Sequence, residues 1–242
     1  MGILKQLPNT ITCLNLLSGG LSIIFSFQGN FESALLMIAV AAVFDFLDGF
    51  AARLLKAYSE IGKELDSLAD VISFGLAPSL MAFNYMYNVQ SVIFHIAAIP
   101  LVIAAFSALR LAKFNLDDRQ TSGFLGMPVP ANALFIGSMI ATACFYPQLG
   151  QKVLAANIYV IPALSVALSF LLVSEVPMFS MKIKSLGWKE NRERFTFLII
   201  TIPAAVLLIC FRIHWTGIVF SVFSLYLVWN LVSHLFGKLV SK

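Results

Sequence analysis

Charge is scarce in this chain: 12% of its 242 residues are Asp, Glu, Lys or Arg, where a soluble domain carries roughly a quarter. With 60% of residues hydrophobic, the shortage excludes an ordinary soluble fold, whose polar surface could not cover so large a core. Histidine and cysteine are equally thin, at three each. None has ligand spacing, so neither a zinc site nor a disulfide framework is expected. Cys13, Cys144 and Cys210 lie inside apolar runs and read as small buried residues, and His95, His214 and His234 as packing or interface residues. Barrel-type alternation is absent, as are internal repeats and low-complexity tracts. The densest basic stretch, Lys182 to Arg194, has only Trp188 as an aromatic, so no nucleic acid partner is expected. Met1 to Pro8 holds one lysine and no small-residue cleavage site, and reads as a retained start.

What is present is length and continuity of apolar sequence, with a mean hydropathy of +0.90. Backbone groups in hydrocarbon must be satisfied internally, so long apolar runs mean helices. The expected fold is all-α: a polytopic membrane helical bundle, one domain over 1–242. About eight transmembrane helices are expected, near 9–27, 32–55, 64–87, 91–113, 128–147, 156–178, 195–212 and 214–236. With the N-terminus cytoplasmic, every Lys and Arg except Lys152 and Arg212 falls on the cytoplasmic side. That asymmetry satisfies the positive-inside rule and puts both termini in the cytoplasm, as expected of a protein of the cell membrane. The net charge of +4 follows from this topology and suits anionic lipid heads.

Most acids sit in loops or at segment ends, including Glu32 and Glu175. Four do not. Asp45 and Asp48 lie in the cytoplasmic half of the second span, and Asp66 and Asp70 in that of the third. Spacings of three and four put each pair on one helix face, and a short loop joins the two helices. Intramembrane carboxylates mark function by default. Four together must be protonated or neutralised by cations. An oxygen-only donor set favours hard ions, Mg²⁺ or Mn²⁺ with Ca²⁺ as a possible occupant. Two such ions suit displacement at phosphorus. Gly49, Ala52 and Gly62 either permit close helix packing or leave room for a base or a diphosphate. Arg53, one turn beyond Gly49, could pair with a phosphate.

The run Asp45-Phe-Leu-Asp48-Gly49-Phe-Ala-Ala52-Arg53, eight residues, Gly62, then Asp66 and Asp70 resembles the signature of the CDP-alcohol phosphotransferase family at every fixed position, D-x2-D-G-x2-A-R-x8-G-x3-D-x3-D. The resemblance implies a six-helix core with two further helices, and direct displacement of CMP from a CDP-linked lipid by an alcohol. It assigns the two metals to Asp45, Asp48 and Asp66 with Asp70 at their edge. It makes Asp70 the general base and places Gly49, Ala52, Arg53 and Gly62, with Asp45 and Asp66, at the CDP site. A homodimer is expected on the resemblance alone.

Weaker features bear on the alcohol. Val71-Ile-Ser73-Phe74-Gly75-Leu-Ala77-Pro78, Arg110-Leu-Ala-Lys113-Phe114-Asn115 and Gly126-Met-Pro128-Val-Pro130-Ala131 resemble the membrane-embedded phosphatidylserine synthase branch. CDP-diacylglycerol and L-serine are then the expected substrates. Arg110 or Lys113 could hold the serine carboxylate or a lipid phosphate, and the Asn115 side-chain oxygen could take the ammonium. The opening Pro8-Asn9-Thr-Ile-Thr12-Cys-Leu-Asn15 also resembles the family's start, with polar residues every three positions. Other acceptors, glycerol 3-phosphate or inositol phosphate, and an ether-lipid donor remain alternatives. Outside enzymes the rival is a cation transporter, which predicts acids at the midplane and an inverted repeat.

Overall fold

The computed structural model describes residues 6–116, 124–148, 157–179 and 191–240, without the side chains of 192, 193 and 236–240. Eight helices stand out among the described residues, one for each expected span: α1 Leu7–Phe27, α2 Phe31–Leu54, α3 Glu60–Val89, α4 Phe94–Leu116, α5 Val129–Phe145, α6 Val160–Val173, α7 Arg192–Cys210 and α8 Trp215–Val240. Five are long and apolar enough to cross a membrane (α1 to α4 and α8); the apolar stretches of α5, α6 and α7 are shorter, at 10–17 residues. The only strand pairing among the described residues is antiparallel and two residues long, Phe124 with Met178 and Leu125 with Pro177.

Local chemistry sets the helix ends. Pro8 opens α1, where its missing N–H costs nothing. The Asn30 side chain accepts from Ser33 N at 3.0 Å and caps α2, one residue after Gly29 turns the chain at φ +77°. Ser59 caps α3 by accepting from Gly62 N at 3.0 Å. Inside α3 the winding loosens to π-helix at Val71–Leu76 and Tyr85–Val89, and such segments often mark functional sites.

α1 and α2 form a tight hairpin, and α1 also packs along α3. The face that α1 buries is small and polar: Thr12, Asn15, Ser18, Gly19, Ser22 and Ser26. Ser22 Oγ donates to Ala34 O at 2.8 Å across the hairpin. Asn84 on α3 reaches the Ser26 carbonyl. Leu35, Ile38, Phe74, Met81, Ile136 and Ile140 form the apolar centre between α2, α3 and α5. Leu17, Ile24, Val43 and Phe46 point outward, as lipid-facing residues must. Cys13 and Cys210 also lie on the outer surface and Cys144 is half-buried, which corrects the expectation of three buried thiols. An apolar solvent removes the pressure to hide them.

At the end away from the aspartates, Trp215 Nε1 donates to Glu32 Oε1 at 2.7 Å and His214 Nε2 lies 3.4 Å from the same oxygen. The His214 ring stacks on Phe145 at 3.6 Å, and its backbone N–H donates to Tyr146 Oη at 2.9 Å. At the aspartate end, Gly126 N donates to Val176 O at 2.9 Å and Met127 N to Leu171 O at 3.1 Å. Gly126 sits at φ +75°, and a Cβ there would collide with the carbonyl oxygens of Leu172 and Ser174. The Gly-Met-Pro stretch is therefore a clasp between α5 and α6. Asn230 and Tyr226 on α8 hold Phe179 through bonds to its N–H (3.0 Å) and carbonyl (3.1 Å).

Candidate active site

α2 and α3 bring Asp45, Asp48 and Asp66 together, each offering a carboxylate oxygen within 4.8 Å of the others. Asp48 is buried, while Asp45 and Asp66 are half-buried. Three carboxylates this close repel unless positive charge sits among them, and a donor set of oxygens alone fits a hard divalent cation. Asp70, 7% exposed, lies one turn deeper on α3, within electrostatic range of all three. Three aspartates thus converge as expected, and the fourth stands behind them.

The polar face of α1 supports both groups. Thr12 Oγ1 donates to Asp48 Oδ2 at 2.7 Å and lies 3.0 Å from Pro8 O. Asn15 Nδ2 donates to Asp70 Oδ1 at 3.2 Å, and Asn15 O accepts from Ser73 Oγ at 3.0 Å. Thr12 and Asn15 were not among the expected site residues. Their signal was the polar period of three at the start of the chain, which shows that a face is polar but not which partner it meets.

A cavity of ≈ 540 Å³ opens beside the three aspartates, a size that suits a nucleotide-like ligand. α1 contributes Pro8, Asn9 and Thr12, and α2 contributes Asp48, Gly49 and Ala52. The α2–α3 loop adds Ala57, Tyr58 and Ser59, and α3 adds Glu60, Gly62, Lys63 and Asp66. Asp45, Asp70 and Arg53 are outside this lining. The two glycines differ. A Cβ at Gly49 would meet only Arg53 Nη1, at 3.8 Å, so that wall is open. A Cβ at Gly62 would press on Ser59 Oγ at 2.9 Å and Asn9 Oδ1 at 3.0 Å, so Gly62 permits close packing around the cap. Asn9 belongs to the same polar period as Thr12 and Asn15, whereas Tyr58 lacked any motif that could have singled it out.

The three expected acceptor residues differ in burial and partners. Arg110 is buried, its guanidinium 5.9 Å from the Phe114 ring and within electrostatic range of Asp70 and Tyr226. Lys113 is exposed. Asn115 Nδ2 donates to Ser67 Oγ at 2.8 Å and its carbonyl accepts from Lys63 Nζ at 3.1 Å, so Asn115 latches α4 to α3. Glu175 is exposed, and Asp117, Asp118, Arg119, Lys182 and Trp188 lie outside the described residues.

Comparisons with known proteins agree on one family. The model of the CDP-alcohol phosphatidyltransferase family matches residues 5–232. A CDP-diacylglycerol–serine O-phosphatidyltransferase of Mycobacterium bovis is 34% identical over 84% of this chain and 71% of its own length. The enzyme of the same name from Bacillus subtilis is 39% identical over 52% of this chain and 71% of its own. An archaetidylserine synthase of Methanothermobacter thermautotrophicus is 36% identical over 59% of this chain and 60% of its own.

Proposed function

Because the chain belongs to the CDP-alcohol phosphatidyltransferase family, we propose that it is a CDP-diacylglycerol–serine O-phosphatidyltransferase, moving a phosphatidyl group from CDP-lipid to the hydroxyl of L-serine with release of CMP. The observation that carries this reading is the convergence of Asp45, Asp48 and Asp66 beside a cavity of nucleotide size, with Asp70 behind them. Serine comes from the relatives, whose names share it.

Asp45, Asp48 and Asp66 would hold two divalent cations, Mg²⁺ or Mn²⁺, with Asp70 at their edge. Bound there, the cations neutralise the diphosphate and stabilise the attacking and leaving oxygens. The chain's own residues do the rest. Thr12 fixes the Asp48 carboxylate, limiting its rotation toward the cavity. Gly49 and Ala52 offer a side-chain-poor wall for the cytidine, and Arg53, whose Nη1 lies 3.8 Å from a Cβ placed on Gly49, is the cation for a phosphate. Asn15 occupies Asp70 Oδ1, which leaves Oδ2 to take the proton of the serine hydroxyl. The serine oxygen then bonds to the phosphorus carrying the lipid, and the bridging P–O bond breaks to release CMP. Arg110 supplies a buried cation for the serine carboxylate.

Arg53, Lys56, Lys63, Arg110 and Lys113 gather at the aspartate end, and the positive-inside rule makes that end cytoplasmic in a cell membrane. A homodimer stays an expectation from the family. An ether-linked donor is the second reading, favoured by the archaetidylserine synthase relative. A cation transporter leaves the aspartate-end cavity and the family match unexplained.

The deciding assay is CMP release by the purified protein with Mg²⁺ or Mn²⁺. CMP should appear from CDP-diacylglycerol only when an acceptor is present, and fastest with L-serine. Equal or faster turnover with glycerol 3-phosphate or inositol phosphate would remove serine and keep the family.

A further inference from the structure

The interior behind Asp70 contains polar atoms that the fold leaves unpaired. Asn132, on the first turn of α5, is fully buried, and neither its Nδ2 nor its Oδ1 has a hydrogen-bond partner. Ser107 on α4 is also fully buried, and its Oγ has no partner. An unmet buried amide is costly, and native structures seldom keep one without a use.

Helix register places these atoms in one layer. α3 and α5 run the same way, with a Cβ at Gly137 falling 3.8 Å from Met81 Sδ. Equal steps back along both helices lead from Gly137 to Asn132 and from Met81 to Leu76. The neighbouring residue, Gly75, faces Ser107, where an added Cβ would lie 3.0 Å from the serine Cβ. Asn132 and Ser107 therefore share the depth of the π-helical segment Val71–Leu76, one to two turns below Asp70. Helical side chains lean toward their own N-terminus, so Asn132 leans toward the aspartate end and Arg110 leans inward from it, toward the same layer.

We propose that Asn132 binds the acceptor: its Oδ1, with Ser107 Oγ at the same depth, accepts from the ammonium of a hydroxy-amino acid whose carboxylate meets Arg110 and whose hydroxyl faces Asp70. The inference rests on the serine reading above and names the residue that separates an amino acid from other alcohols. A site built for an ammonium rejects an alcohol that lacks one, because the amide is again left unpaired.

The test uses the full-length protein in detergent with Mg²⁺ and saturating CDP-diacylglycerol, titrated with L-serine. The competitor is 3-hydroxypropionate, which keeps the hydroxyl and carboxylate and lacks the ammonium. Asn132→Leu should raise the serine KM by about 10-fold or more, the scale of a lost hydrogen bond to a charged group. It should leave the KM for CDP-diacylglycerol and the inhibition constant of 3-hydroxypropionate within about 2-fold, since neither needs the amide. Its melting temperature should equal or exceed that of the wild type, because an unpaired amide has been removed; Asn132→Ala serves as a smaller variant read in the same way for the two constants. An unchanged serine KM overturns the proposal. So does a joint rise of both KM values with a lower melting temperature, or loss of fold in both variants, either of which makes Asn132 a packing residue. Should the wild type not use serine at all, the serine reading fails and takes this inference with it; serine turnover indifferent to Asn132 removes the inference alone.

Discussion

Two polar clusters tie the helices together, one at each end of the bundle, and they are built on opposite principles. At the far end, Glu32, Trp215, His214 and Tyr146 pair donor with acceptor, and Phe145 covers the imidazole. Every group named there finds its partner within the cluster, as expected of a fastening. At the aspartate end, three carboxylates face one another, a fourth is buried behind them, and a buried amide lies deeper with no partner. That arrangement opposes folding, and α1 offsets only part of the cost through Thr12 and Asn15. Polar groups kept in register against their own repulsion are kept for ligands; polar groups that satisfy one another are kept for the fold.

Substitutions should therefore divide by end. The largest effects belong to the carboxylates. Asp70→Asn should lower turnover by about 10²–10⁴, the worth of a general base, and retain most affinity for CDP-lipid. Asp48→Asn should weaken metal and CDP-lipid binding together, since it removes charge from the cluster itself. Titrating nucleotide binding against metal in both variants separates the two roles. If Asp70→Asn loses binding as fully as Asp48→Asn while Asp66→Asn keeps it, the roles of Asp66 and Asp70 are to be exchanged.

A smaller effect is expected one step back from the chemistry. Asn15→Leu removes the donor to Asp70 Oδ1 and leaves the carboxylate free to rotate. Turnover should fall roughly 10-fold with the CDP-lipid KM little changed, as for a group that matters mainly in the transition state. A fall in CDP-lipid affinity instead would make Asn15 part of the nucleotide site.

The smallest effect on turnover should come from the far end. Trp215→Phe deletes the hydrogen bond to Glu32 and keeps the ring. Its cost should be about 1 kcal/mol of stability, seen as a lower melting temperature in detergent, with CMP release per folded molecule unchanged. A turnover loss approaching that of Asn15→Leu would break the contrast and couple the far cluster to the site.

The helices were legible because their cause is local. Long apolar runs have one solution in hydrocarbon; their exact ends came from the structure, where Ser59 caps a third helix that starts at Glu60 instead of near 64. Asp45, Asp48, Asp66 and Asp70 were legible for the same reason: spacing within a helix sets the face, and acids in apolar surroundings stand out. The clasp at Gly126 and the latch at Asn115 were not, because each depends on which carbonyl or hydroxyl a distant helix presents. Asn115 gives its Nδ2 to Ser67 Oγ and its backbone carbonyl to Lys63 Nζ, two partners that lie on another helix.

The sequence by itself determined a helical membrane bundle, the four aspartates and the family that uses them, since apolar length and helical period are properties of one segment at a time. Only the tertiary structure decided that Thr12 serves Asp48 and Asn15 serves Asp70, that Asp70 stands behind the other three, that Gly49 is open while Gly62 is packed, and that Asn132 and Ser107 share a layer without partners. Those are relations between helices, fixed by rotation and register when the faces of α1 to α5 close on one another, and no single stretch of chain contains them.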